Sequence, residues 1–73
     1  MITATQCRMA RVALGWGVRE LGKKAGISYT TVARFENAKN KFQPSLATLK
    51  LIRQAFEEAG IRFTDTGGIE PNG

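Results

Sequence analysis

Cys7 is the only cysteine in this sequence and histidine is absent, which restricts the fold more than any other feature of its 73 residues. No intramolecular disulfide can form, and a zinc site is close to excluded. A chain of this length lies near the lower size at which a core alone holds a fold. Without staples it is most easily built from helices, or with help from a dimer partner. One domain is therefore expected. The lone Cys7 reads as a small core residue rather than a reactive thiol, and it fits a reducing cytoplasm. Residues 1–20 hold no continuous apolar run, so neither a signal peptide nor a membrane span is expected.

The chain divides into helices at its glycines. Thr3-Ala4-Thr5-Gln6 has capping-box spacing and predicts a helix start at Thr3 to Thr5, with Cys7, Ala10, Ala13 and Leu14 turned inward. Gly15-Trp16-Gly17 stops it, with Trp16 as an anchor of the turn in the core rather than a stacking surface for a base. Val18, Leu21 and Ala25 mark a second short helix that breaks at Gly26. Ser28 has the chemistry of an N-cap for a third helix over 29–37. At about 100° per residue, Val32 and Phe35 point inward. Tyr29, Thr30, Ala33, Arg34 and Asn37 share the opposite face, and Thr31 sits on the border.

Ala38 to Gln43 reads as a polar loop. Pro44-Ser45 opens the longest helix, to Ala59, with Leu46, Leu49, Ile52, Phe56 and Ala59 as its stripe. Ile61, Arg62, Phe63 and Thr64 alternate apolar and polar and predict one short strand. Its open edge is expected to pair with a second copy, giving a homodimer. Residues 66–73 are turn-rich and acidic and are expected to form a disordered tail beyond a 1–65 domain. The fold class is all-α: a small helix-turn-helix bundle of four to five helices with a short C-terminal strand.

Charge separates along this order. Through Arg53 there are ten basic residues against only Glu20 and Glu36, whereas beyond it Arg62 alone opposes Glu57, Glu58, Asp65 and Glu70. A basic body with an acidic end suits a polyanion partner. The alternative is a soluble protein with a scattered positive surface. A third helix whose outer face carries hydrogen-bonding and flat groups in place of Glu and Lys favours a surface meant to be touched.

A short helix, a tight glycine turn and a second short helix with a polar outer face describe a helix-turn-helix. LGWGVRELGKKAGISYTTVARFENAKN, followed by PSLATLKLIRQAF, resembles the Cro and lambda-repressor type of helix-turn-helix regulator, the xenobiotic-response-element family. The resemblance runs from Gln6 to about Thr64. It implies that the third helix lies in the DNA major groove while the second crosses the backbone. It places Ser28, Tyr29, Thr30 and Arg34 at base-reading positions. Arg34 suits bidentate donation to guanine O6 and N7, and Thr30 offers a hydroxyl and a methyl. Partial packing of Tyr29 on its own domain, and a phosphate clamp or free surface role for Arg34, remain open alternatives.

The same resemblance implies phosphate contacts from Thr31, Asn37, Lys39, Asn40 and Lys41, with Arg8, Arg19, Lys23 and Lys24 as weaker candidates. It also implies an ion pair between Arg11 and Glu36 that ties the first helix to the third. Four positions depart from the family pattern. Gly17-Val18 stands where a Ser or Thr cap and a Gln are usual, Gly22 replaces an alanine, and Ala38 replaces a glycine. If position 38 needs a positive φ, Asn37 or Asn40 is the residue expected to take it instead.

The function implied is sequence-specific binding of double-stranded DNA by a transcriptional regulator, a repressor by preference, acting as a dimer. The competing reading is a protein-interaction module, or an antitoxin-like partner of a toxin, that keeps the shape without reading DNA. Val18 is its best support. An enzyme is not expected: there is no metal-ligand cluster, no Gly-rich phosphate loop and too little chain for a deep pocket. No cofactor is expected either.

Overall fold

The computed structural model describes residues 2–37, 39 and 41–71. Among the described residues four helices occur in chain order: α1 (Ala4–Ala13), α2 (Val18–Ala25), α3 (Tyr29–Glu36) and α4 (Leu46–Glu58). Two strands follow, β1 (Ile61–Phe63) and β2 (Ile69–Pro71). The core is one cluster to which all four helices and β1 contribute, with Cys7, Leu21, Val32, Leu49, Ile52 and Phe56 fully enclosed.

The capping box at the start of α1 forms as its spacing predicts. Thr3 Oγ1 accepts from the Gln6 N–H at 3.1 Å and Gln6 Oε1 accepts from the Thr3 N–H at 3.0 Å. The inward face of α1 differs from the apolar stripe, however. Ala13 is exposed and Gln6 is buried instead. The reason is a polar partner out of sequence range: Gln6 Nε2 donates to the carbonyls of Thr64, at 3.2 Å, and Gly68, at 3.0 Å. A buried amide satisfied in this way loses little by leaving water. Trp16, half-buried after the α1 turn, stacks on Phe56 with ring centroids 5.7 Å apart.

α2 starts at Gly17 without a side-chain cap and ends at Gly26, whose φ of 73° lies in the left-handed region that glycine adopts without a Cβ clash. At Gly22 the backbone of α2 comes close to the start of α3. A Cβ there would stand 2.9 Å from the Ile27 carbonyl oxygen and 3.0 Å from the Tyr29 nitrogen. The residue that helix propensity marks as a weakness is thus the one that lets the two helices meet. Ser28 caps α3 by accepting from the Thr30 N–H at 3.2 Å. The helix stops at Glu36, with Asn37 as its extended C-cap, one residue short of the expected end.

α4 buries Leu49, Ile52, Ala55 and Phe56. Leu46 and Ala59, both expected inside, are exposed because the helix overhangs the core at each end. The strand Ile61–Phe63 does not stand alone. It pairs antiparallel with Ile69–Pro71 in the register Ile61 to Pro71, Arg62 to Glu70 and Phe63 to Ile69. Residues 66–71 therefore fold back into the domain, in place of the disordered tail expected from 66–73. Asn72 and Gly73 lie outside the described residues. The turn closes through Thr64, whose N–H donates to the Gly68 carbonyl at 3.0 Å and whose Oγ1 accepts the Gly68 N–H at 2.9 Å. An Arg62–Glu70 ion pair crosses the strands, and Phe63 packs edge-on against Phe56. The turn-rich composition of residues 64–68 makes this return, and composition alone does not distinguish a hairpin turn from a tail.

Candidate nucleic-acid interface

α3 turns Val32 and Phe35 into the core and presents Tyr29, Thr30, Ala33 and Arg34 to solvent on its opposite side. Its seating depends on Arg11. From α1, the Arg11 guanidinium donates from Nη2 to Glu36 Oε1 at 2.8 Å and from Nε to Oε2 at 3.0 Å. Nη1 donates to the Trp16 carbonyl at 3.0 Å. The Cys7 thiol donates to Glu36 Oε2 at 3.2 Å. Burial, with the neighbouring carboxylate, pushes that thiol well above the ordinary cysteine range. One arginine thus holds α1, the turn before α2, and the end of α3 together.

Two guanidinium–aromatic stacks flank the outer face. Arg19, from α2, lies over the Tyr29 ring at 4.4 Å from its centroid, with Nη2 3.5 Å from the phenolic oxygen. Tyr29 nevertheless keeps 44% of its surface exposed. Arg34 lies over the Phe42 ring, also at 4.4 Å. Both guanidinium carbons lie within cation–π distance of their rings.

The residues singled out from sequence divide as follows. Tyr29, Thr30 and Arg34 share the exposed face. Ser28 is adjacent, but its hydroxyl is engaged as the α3 cap. Thr31 is half-buried on the flank. Asn37 Oδ1 accepts the Lys39 N–H at 3.1 Å and so shapes the loop, leaving its amide NH2 for an outside acceptor. Asn40 and Ala38 lie outside the described residues. The left-handed residue near the loop's end is neither Asn37, at φ −83°, nor another asparagine among the described residues, but Lys41, at φ 49°. Of the weaker candidates, Arg19 joins the face through Tyr29. Lys24 turns away to the Trp16 side, 5.8 Å from that ring, in a groove shared with Glu58.

Phe42 is a functional candidate missed in sequence. The signal was present as the single aromatic residue in a polar run. It packs half-buried against the core beside an open groove of about 400 Å³ lined by Ile2, Phe35 and Asn37 among others.

No group of His, Cys, Asp or Glu among the described residues is arranged to hold a metal ion, and no helix there is long and apolar enough to cross a membrane. Two short helices meeting at a glycine, the second with an open polar face, define the helix-turn-helix class. A helix-turn-helix family model matches residues 8–59, from within α1 to just past the end of α4. The chain belongs to that family, the Cro and lambda-repressor type of DNA-binding regulator. No curated protein matches it in sequence.

Proposed function

We propose that this protein is a sequence-specific binder of double-stranded DNA that represses transcription, with α3 in the major groove. The supporting observation is the exposed face of α3, where Tyr29, Thr30 and Arg34 stand together and the flanking Arg19 supplies positive charge. Arg34 reads guanine by donating to O6 and N7, and Thr30 and Tyr29 contact neighbouring bases. The N–H groups at the start of α2, the Asn37 amide, Lys39 and Lys41 grip phosphates on either side. With Val18 in place of a glutamine, the α2 contact is made by backbone alone.

A two-fold dimer places two such helices in successive major grooves about one helical turn apart. The C-terminal hairpin is the dimerisation element, through Ile61, Arg62, Phe63 and Thr64. A two-stranded sheet still has outer edges to offer a second copy.

Selection of bound duplexes from a random library at near-physiological salt tests this function. A two-fold symmetric motif with half-sites about one turn apart is the expected result. Binding with no enriched motif would reduce the interface to a basic surface and favour the interaction-module reading, with a protein such as a toxin as the partner.

A further inference from the structure

The arginines of this chain are not equivalent. Arg11, Arg53 and Arg62 face carboxylates, and Arg19 reaches the Tyr29 hydroxyl. Arg8 and Arg34 have no protein acceptor among the described residues, and of these two it is Arg34 that lies over an aromatic ring, its guanidinium carbon 4.4 Å from the Phe42 centroid. Stacking occupies a face of the guanidinium and leaves the in-plane N–H fork free, and that fork is the part that matches a guanine edge. The ring beneath is itself fixed. Phe42 is half-buried and packs on the core cluster, and it directly follows the left-handed residue Lys41. The next residue but one, Pro44, is buried.

We propose that Phe42 is a specificity-positioning residue, which orients Arg34 as a base reader without touching DNA itself. The inference rests on the base-reading role given to Arg34 above. A long arginine side chain free in solvent samples many rotamers and must be ordered on binding. Phe42 removes part of that ordering before DNA arrives. Its loss therefore falls on discrimination at the base pair read by Arg34, not on attraction to phosphates.

The test uses the full chain and the duplex recovered by the random selection, compared with the same duplex carrying the Arg34-dependent G·C pair changed to A·T. Phe42→Leu keeps an apolar filler and removes the ring. Discrimination between the two duplexes is expected to fall about two- to fivefold, the size of an exposed cation–π contact. Affinity for unrelated DNA and its salt slope should stay as in the unsubstituted protein. Phe42→Tyr should restore discrimination, and in an Arg34→Ala background Phe42→Leu should change nothing further.

Unchanged discrimination in Phe42→Leu, or an equal loss on unrelated DNA, overturns the positioning role while leaving Arg34 as a reader. A selection with no motif overturns the base-reading role first, and this one with it. Should Phe42→Leu not fold, proton NMR of the unsubstituted protein decides. Upfield ring-current shifts on the Arg34 side-chain methylenes support the stack, and ordinary shifts overturn it.

Discussion

Arg11 and Glu36 make a two-point contact between the first and third helices, Nη2 to Oε1 at 2.8 Å and Nε to Oε2 at 3.0 Å, with side chains only 17% and 8% exposed. The position of α3 thus depends on a charge pair outside its outer face. Arg11→Ala, or Glu36→Ala, is expected to destabilise the fold by about 3–5 kcal/mol, because the remaining charge is left enclosed. A double replacement, Arg11→Met with Glu36→Leu, should recover most of the loss. Urea denaturation of the four proteins measures this, and a double variant as unstable as the sum of the singles would deny the coupling.

Cys7 titrates against the fold. Its thiol is raised from an ordinary value of 9.0 by burial first and by the Glu36 carboxylate second. With the folded value above the unfolded one, the unfolded chain releases the proton first as pH rises. The contribution is therefore complete below 9.0 and is lost progressively above it, with a slope of up to about 1.4 kcal/mol per pH unit. Comparing stability against pH between the natural chain and Cys7→Ala isolates this group. The natural chain should fall more steeply above that value. Parallel curves would remove Cys7 from the account.

Gly22 gives a prediction of opposite sign to its helix propensity. Alanine inside a helix gains about 1 kcal/mol over glycine. Here the new methyl would sit 2.9 Å from the Ile27 oxygen, against backbone that cannot turn aside. Gly22→Ala is expected to destabilise by about 1–3 kcal/mol. A rise in melting temperature would show that α2 and α3 are free to separate.

Lys41 is left-handed at φ 49°, so alanine there would confuse strain with the removal of charge. Glycine removes the charge without strain. Lys39→Ala combined with Lys41→Gly should weaken binding to all duplexes and lower the salt slope by about 0.9 for each phosphate that is no longer neutralised. Arg34→Ala should instead relax preference at one base pair per half-site, by about 1–3 kcal/mol. Equal behaviour of the two variants on specific and unrelated DNA would erase the distinction between reading and gripping.

The hairpin cannot be removed to test dimerisation without harming the monomer. Ile61 is in the core, and Gln6 depends on the Thr64 and Gly68 carbonyls. Truncation after Gly60 would delete the first and remove both acceptors of the second. Sedimentation of Arg62→Ala, which removes an exposed strand side chain without setting two carboxylates opposite each other, is the cleaner measurement. A shift to monomer is expected, and an unchanged dimer would place the interface elsewhere.

Local chemistry by itself determined the helices. Thr3, Ser28 and Ser45 cap where their hydroxyls lie next to free N–H groups, Gly26 ends α2, and Val32 and Phe35 set the inward side of α3. These outcomes depend on residues within a turn or two of each other, so spacing alone carries them. The outer face of α3 follows from the same periodicity. Gln6, the 69–71 strand, Gly22 and Phe42 were decided only by tertiary structure. Each answers to a partner beyond its own element: two carbonyls at the far end of the chain, a strand across a turn, the backbone of the next helix and a guanidinium reached after a left-handed residue. Periodicity records which way a side chain points along its own helix or strand. What meets it there is fixed only when the elements pack.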